Sequence, residues 1–246
     1  MIGQAAAALG VVALLLAMPA LGFAHKPLGV QGDNPNYESA QLIPDHEVSW
    51  AIYEELGSTP NYYRFEASAG ERLFSQMTIP KLKDTRDFAP SLALIGPEIA
   101  SVEIEGHKGS KVSVSVPFSV PEGMDAVAVD YVGSVPSPEF YEPFTQTTYW
   151  ERQKIVVESL PATGTYFLVV YDRTPVSSEG KKYTLAVGER EEFSALDTFT
   201  TLPRAWFETK FFFGDYVTPA IVIVAMLTVV VGIVYLVIHR THNTTH

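Results

Sequence analysis

The sequence predicts an all-β protein, an antiparallel jelly-roll-like β-sandwich, followed by one C-terminal transmembrane helix. Between Glu47 and Gly188 apolar residues recur mostly at every second position, which is the period of a strand with one buried face. Clusters of Gly, Pro, Asn and Asp separate these strands at short intervals, as in two-sheet antiparallel domains. A run without charged residues, Val217 to Ile238, follows and is long enough to cross a bilayer.

Residues 1–24 are predicted to be a signal peptide. An apolar run extends from Ala5 to Phe23, and the small residues Gly22 and Ala24 occupy the positions that signal peptidase requires before a cut ahead of His25. No Lys or Arg precedes the run. The alternative is therefore an uncleaved helix, in which case the chain would cross the membrane twice with the domain outside.

The C-terminal apolar run predicts the cellular location. A helix over residues 217–238 would be roughly 30 Å long at about 1.5 Å per residue, which matches the hydrocarbon core. Arg240 lies in the tail, residues 239–246, and the positive-inside rule places that tail in the cytoplasm. We therefore expect a single-pass protein of the cell membrane, with its domain on the extracytoplasmic side.

The composition excludes several classes of function. A net charge of −11 and a pI of about 5.0 argue against nucleic acid as a partner and against docking on anionic lipids through a basic patch. The chain has no cysteine, which excludes disulfides, zinc–thiolate sites and cysteine nucleophiles. The sequence motifs of zinc peptidases, serine hydrolases and phosphate-binding loops are also absent. The domain must therefore be stabilised by burial of apolar surface.

The strands are expected within residues 46–190, after an irregular arm, residues 25–45, that is rich in Gly, Asn and Pro. The predicted strands are Val48–Ile52, Tyr63–Ala67, Leu73–Ile79, Ser91–Ile95, Lys111–Val120, Ala126–Tyr131, Tyr166–Tyr171 and Tyr183–Val187. The second and third should form a hairpin, because a short turn containing Gly70 joins them. The last two should pair with each other, with the wholly apolar Tyr166–Tyr171 strand at the centre of its sheet.

Proline residues mark the exceptions to this strand pattern. Pro117 lacks a backbone donor, so the Lys111–Val120 strand, whose alternating valines form one apolar face, should lie at a sheet edge. Gly133 to Tyr149 contains three prolines and several aromatic residues, and we expect it to form a long ordered loop.

Several motifs resemble a known family. They read NYYRFEA at residues 61–67, GERL at 70–73, SLALIGP at 91–97, LPATGTYFLVVY at 160–171 and YTLAV at 183–187. Over Trp50 to Gly188 the chain resembles the bacterial pre-peptidase C-terminal domain, a small β-sandwich appended to secreted enzymes. The resemblance implies an accessory role in binding polymers or partners, or in export, and no reaction. The chain departs from the family at Asn61, where an acidic residue is usual, and by an insertion from about Pro97 to Gln153.

Histidine and aspartate residues are the candidate metal ligands. Cleavage before His25 would free an α-amine beside its imidazole, a pair that chelates copper, and His46 or His107 would supply the further imidazole. An exposed histidine in a flexible arm is the simpler interpretation. Calcium is the other candidate, because carboxylates near strand ends often bind it. These carboxylates belong to Asp84, Asp87, Asp130 and Asp172. We expect no cofactor, with copper and calcium as the alternatives.

An aromatic segment is the candidate ligand-binding site. Tyr141, Phe144, Tyr149 and Trp150 lie among carboxylates, and rings beside carboxylates suit the binding of sugars or peptides. We favour the alternative, in which the segment folds over one open end of the sandwich and its rings form a lid on the core.

A second aromatic cluster immediately precedes the apolar run. It lies in the predicted connector, residues 191–216, and comprises Trp206, Phe207, Phe211, Phe212, Phe213 and Tyr216. Aromatic residues concentrate at membrane–water interfaces. We expect a short amphipathic interfacial helix that ends at Gly214, with Arg204, Glu208 and Lys210 directed toward water. A helix that binds a protein partner is the alternative.

The sequence thus favours a non-catalytic, membrane-anchored binding or scaffolding module that acts with a partner protein or a surface polysaccharide. The alternatives are a copper-handling protein that uses His25 and a divergent surface hydrolase in which Asp45 and His46 would join a serine. Adjacent residues of a strand point to opposite faces, so a surface pair is the simpler account of Asp45 and His46.

Overall fold

The fold is seen in a computed structural model that describes residues 25–105, 110–133, 138–173, 180–194, 196–197 and 200–243. Three sequence predictions lie outside these residues. They concern the signal peptide at residues 1–24, the proposed copper ligand His107 and the last residues of the tail, 244–246.

The predicted β-sandwich is confirmed, and it consists of two six-stranded sheets. The first sheet has the order β1 (Lys26–Pro27), β3 (Trp50–Leu56), β12 (Lys181–Val187), β5 (Leu73–Pro80), β10 (Thr147–Val157) and β9 (Glu139–Glu142). The second has the order β2 (Gln41–Leu42), β4 (Asn61–Ala67), β11 (Gly164–Tyr171), β6 (Ser91–Gly96), β8 (Asp125–Tyr131) and β7 (Ser110–Ser113). All pairings are antiparallel except those of the two-residue strands β1 and β2, which pair in parallel.

The main core lies between the two sheets and follows the period-two pattern. Phe65 on β4 stacks on Tyr166 of β11, with ring centroids 5.6 Å apart, and both side chains are buried. Leu168 and Val170 continue the inner face of β11, while β12 contributes Leu185 from the opposite sheet. β11 is buried along six of its eight residues and lies between β4 and β6, as expected of a central strand.

The expected hairpin between β4 and β5 is wrong. β4 belongs to the second sheet and β5 to the first, so the turn that contains Gly70 carries the chain across the sandwich. The expected pairing of β11 with β12 is wrong for the same reason, since β12 pairs with β3 and β5. Two strands of one sheet and two strands on facing sheets have the same alternation when their inner faces meet a common core. The hydrophobic pattern therefore could not distinguish these arrangements.

The alternating Lys111–Val120 segment forms a shorter strand than expected. β7 ends at Ser113, although its position at a sheet edge is confirmed. Beyond it the chain crosses the outer face of the second sheet, where Phe118 packs edge-on against Tyr62 and Tyr171. Val112 and Val114 are exposed, so the predicted apolar face does not form a continuous buried strand. Pro117 cannot donate to a ladder, which opposes a strand that continues to Val120, although β7 already ends four residues earlier.

Two predicted loops contain regular structure. The described part of the Gly133–Tyr149 segment includes β9, which pairs with β10 as a hairpin. The expectation of a long ordered loop is therefore corrected, because part of this segment is a strand. The arm is largely irregular, as expected, but it adds β1 to an edge of one sheet and β2 to an edge of the other.

Two helices follow the sandwich. Helix α1 covers Thr201–Phe212, and helix α2 covers Val217–Asn243. Among the described residues, one helical stretch is long and apolar enough to span a membrane, Val217–His239 within α2. This stretch is 23 residues long and is not buried against the rest of the protein.

Candidate functional site

Helix α1 packs against the outer face of the first sheet. Leu202 and Ala205 are buried on one side of the helix, where they form a small apolar cluster with Phe144. At the C-terminal end, the Phe213 ring lies 5.9 Å from the ring of Tyr53 and 6.0 Å from that of Tyr149. The helix is therefore an outer layer of the domain, joined to it by apolar and aromatic contacts.

A compact joint connects α1 to α2. The backbone N–H of Gly214 donates to the carbonyl of Phe211, at 3.0 Å, and the N–H of Asp215 donates to that of Lys210, at 2.9 Å. With Gly214 at a φ of 78°, this pair of bonds is a Schellman motif, which satisfies the last carbonyls of a helix. The Asp215 carboxylate then accepts the N–H of Thr218, at 3.1 Å, and so caps the start of α2.

A buried lysine strengthens the joint. Lys210 is 5% exposed, its Nζ lies 3.3 Å from the Asp215 carboxylate, and it also lies 5.7 Å from the Trp206 ring centroid. Burial opposes ionisation of Asp215, yet hydrogen bonds from Thr218 and Lys210 lower its pKa overall. The expectation that Lys210 points to water is wrong, because its ammonium is the partner of Asp215. Arg204 and Glu208 are exposed, as predicted, and pair with each other at 2.7 Å.

The second aromatic cluster divides into two sets. Trp206, Phe212 and Phe213 pack against the domain, and the carbonyl of Phe212 accepts a hydrogen bond from the Lys182 ammonium of β12. Phe211 and Tyr216 are exposed, and Phe207 is half-buried. The interfacial role stays a prediction. Phe211 and Tyr216 are the rings with enough exposed surface to contact a bilayer.

Burial changes the interpretation of the predicted ligand-binding residues. Phe144, Tyr149 and Trp150 are at most 5% exposed, and only Tyr141 presents most of its ring to solvent. The Tyr149 ring stacks on Phe140 at 5.4 Å, and the Trp150 indole N–H donates to Glu139 at 3.0 Å. Three of the four predicted residues therefore have no surface for a ligand. Trp150 belongs to the core between the sheets, whereas Phe144 packs against α1 and Tyr149 contacts Phe213. The lid over an open end of the sandwich stays a prediction.

The candidate metal ligands are not close to one another in the described part of the structure. His25 is tied to the sheet, because its Nδ1 hydrogen-bonds the Ser49 hydroxyl, and burial lowers its pKa although carboxylates such as Glu142 raise it. His46 is 3% exposed and stacks on Phe65. In the part of the chain with described coordinates, no group of three or more His, Asp or Glu residues is placed to hold a metal ion. Asp130 hydrogen-bonds Ser91 and Arg173. Copper and calcium binding stay untested predictions.

A buried polar network links the two sheets near one end of the core. Glu54 lies on the inward-facing side of β3, and its carboxylate accepts hydrogen bonds from the hydroxyls of Tyr63 and Tyr183. The two hydroxyl oxygens are also in close contact with each other, and the Asn61 amide donates to Tyr183 at 2.8 Å. Sequence reasoning missed this network, although a glutamate at an apolar position between Ile52 and Leu56 was a usable signal.

Glu54 should make stability depend on pH. Burial raises its pKa more than the hydrogen bonds from the tyrosines lower it. A carboxyl with a raised folded pKa gives its full contribution to stability below its unfolded pKa, about 4.3, and loses it as the pH rises through the folded value.

Replacing Glu54 with Gln removes this titration while keeping an acceptor oxygen. We expect the free energy of unfolding of Glu54→Gln, relative to wild type, to rise as the pH increases from about 4 to 8. Urea denaturation in detergent micelles at several pH values measures the difference. A difference that is constant or falls over this range contradicts the raised pKa.

Comparisons with known proteins find similar solved structures at low sequence identity. No known family matches the sequence, and no curated protein matches it. The chain is similar to PliG of Salmonella Typhimurium, a periplasmic inhibitor of g-type lysozyme, at 15% identity over 61% of this chain and 98% of that one, with a TM-score of 0.28. It is also similar to the pre-peptidase C-terminal domain of a Bacillus anthracis collagenase, at 8% identity over 63% and 96% of the two chains, with a TM-score of 0.26.

The second of these structures is a domain of the kind that the motifs resemble. Both similarities are too distant to indicate a function. In its described residues the protein is a β-sandwich with a docked helix and one apolar C-terminal helix.

Proposed function

We propose that this protein is a non-catalytic, membrane-anchored binding module that holds its extracytoplasmic sandwich in one orientation beside the bilayer. The partner is a protein or a surface polysaccharide. The observation that carries the proposal is the unbroken series of contacts from the first sheet, through α1 and the joint at Gly214 and Asp215, to the apolar helix α2.

The short link between the domain and the anchor helix limits the orientations that the domain can adopt. A flexible tether would let the domain sample many orientations, because each unconstrained residue has several backbone conformations. Here only Phe213 to Tyr216 separate the two helices. Four backbone N–H groups in and next to this segment are bonded, those of Phe213, Gly214, Asp215 and Thr218. A domain held this way loses little further entropy when it binds a partner.

The chemistry of the described residues favours binding over catalysis. Asp45, the candidate triad member, pairs with Arg190 at 2.6 Å, and the adjacent His46 stacks on Phe65. Among the described residues no hydrogen bond joins Asp45 to His46, so they do not form the acid–base pair of a serine triad. This supports the binding proposal over the hydrolase alternative.

Cysteine accessibility tests the anchoring and the side of the membrane. The chain has no cysteine, so Ser58→Cys, in an exposed position of the sandwich, and Thr241→Cys, in the tail, each introduce one reactive thiol. In intact cells we expect a membrane-impermeant maleimide to label the Ser58→Cys variant, and to label Thr241→Cys only after permeabilisation. Both variants should stay with the membrane after an alkaline wash. Release by that wash, or the reverse labelling pattern, would contradict the proposal.

A further inference from the structure

A small cleft opens beside the place where the arm meets β12. Its volume is about 220 Å³, and its lining residues are His46, Glu47, Arg72, Phe74, Gly188, Glu189 and Arg190. The backbone fixes its shape, because the N–H groups of Glu189 and Arg190 both donate to the carbonyl of Glu47, at 3.1 and 2.8 Å. Gly188 has a φ of 75°, and a Cβ there would lie 2.2 Å from the Val48 carbonyl oxygen. The walls of the cleft are therefore constrained by the main chain.

Each arginine in the cleft is shared by two carboxylates. Arg190 contacts Asp45 and Glu47, each at 2.6 Å. Arg72 contacts Glu158, at 3.2 Å, and Glu189. One guanidinium carries one positive charge, and it faces two carboxylates. Each group of one arginine and two carboxylates therefore has a net charge of about −1. All four carboxylates are at least two-fifths exposed, so their field reaches solvent.

His46 is a buried polar residue in the lining of the cleft. It is 3% exposed, and its Nε2 is buried without a hydrogen-bond partner among the described residues. A carboxylate oxygen of Glu71 lies 3.7 Å from this nitrogen, too far for a hydrogen bond. A buried polar atom without a partner is costly unless something fills the site. A single donor group within hydrogen-bond distance of both the imidazole nitrogen and the carboxylate oxygen would satisfy both.

The ligand must then be a cationic donor. An anion has no free guanidinium to bind, because both arginines are already occupied by carboxylates. Phe74 adds an apolar wall, which suits the methylene stem of a long basic side chain, and the Lys154 ammonium already lies 5.8 Å from the centroid of its ring.

We propose that this cleft binds a lysine or arginine side chain of a basic partner protein, with Glu47 and Glu189 at its rim and Glu71 beside His46. The inference rests on the proposed function, because it names the class of partner that the binding module takes. Electrostatic complementarity of this kind mainly raises the association rate and the specificity, and it weakens as salt increases.

Binding of a short polylysine peptide to the full-length protein in detergent tests the proposal. The double variant Glu47→Gln, Glu189→Gln removes the excess charge yet leaves each arginine one carboxylate. At low salt we expect it to bind the peptide about fivefold more weakly than wild type. The double variant Asp45→Asn, Glu158→Gln neutralises the other carboxylate of each group and should weaken binding to a similar extent. The peptide with its lysines acetylated should bind neither wild type nor variants.

The control is Glu103→Gln, Glu122→Gln, which makes the same charge change at exposed positions outside the cleft. It should leave the affinity within about twofold of wild type. An equal loss in the control, or no loss in either cleft variant, would overturn the cleft as the site, and so would a loss in only one of the two cleft variants. The labelling experiment on the Ser58→Cys and Thr241→Cys variants needs no ligand, so failure of the cleft is distinguishable from failure of the anchored module.

Discussion

Arg152→Ala is expected to destabilise the protein by about 3 to 5 kcal/mol, the range for breaking a buried charged network. Arg152 is fully buried on β10. Its Nε donates to the carbonyl of Phe88 and its Nη2 to that of Arg86, both at 2.9 Å. Its guanidinium also lies over the rings of Tyr131 and Trp150, 5.2 and 5.5 Å from their centroids. Alanine would leave a cavity, a buried carbonyl at Phe88 and a partly buried carbonyl at Arg86 without these donors.

The control for this prediction is Arg64→Ala, which removes an arginine from an exposed position of β4. Its cost should be within about 0.5 kcal/mol of zero, as for surface substitutions generally. Chemical denaturation of the full-length protein in detergent measures both variants. If Arg152→Ala costs less than about 1 kcal/mol, then Arg152 does not fix the segment between β5 and β6, and our account of its burial is wrong.

Arg152 also shows where sequence reasoning reaches its limit. The register between β10 and β5 shifts between Glu151 and Lys154, so a β-bulge interrupts the alternation. Arg152 and the next residue, Gln153, are consequently both buried, and Gln153 donates to the carbonyl of Pro90. In a regular strand, the period-two pattern would place only one of these two adjacent side chains toward the core. A bulge is a property of pairing between distant strands, so local sequence did not reveal it.

The strands themselves were largely predictable, whereas their partners were not. β4, β5, β6, β8, β11 and β12 lie close to the predicted positions, because alternation and turn residues are local signals. The assignment of β4 and β5 to different sheets depends on which strands meet across the core, and alternation carries no information about that. The same limit explains the wrong partner for β12.

The role of α1 was predictable only in part. A helix ending near Gly214 was expected and is confirmed. Its packing on the sandwich was missed, since aromatic residues suit an interface and a protein surface equally well. Two signals could have indicated a rigid joint. Gly214 follows a helix as a C-cap glycine does, and Asp215 precedes Thr218 by the three residues typical of an N-cap.

The second large effect is expected at this joint. A Gly-Ser-Gly-Ser insertion between Gly214 and Asp215 would break the bond from Asp215 N–H to the Lys210 carbonyl and move the two charged side chains apart. The helices would then be joined by a flexible chain, which samples many separations. The sandwich should keep its fold, because the insertion lies outside both sheets.

The distance between the sandwich and the anchor helix tests the central claim most directly. Ser68→Cys on the exposed turn after β4 and Ala220→Cys in α2 provide the only two thiols for spin labels, because the chain has no cysteine of its own. Pulsed electron paramagnetic resonance measures the distance between the two spin labels in lipid nanodiscs. The doubly labelled protein should give one narrow distance distribution, and the same labelled protein with the insertion should give a broad one. Equally broad distributions in both proteins would contradict a domain held in a fixed orientation on its anchor.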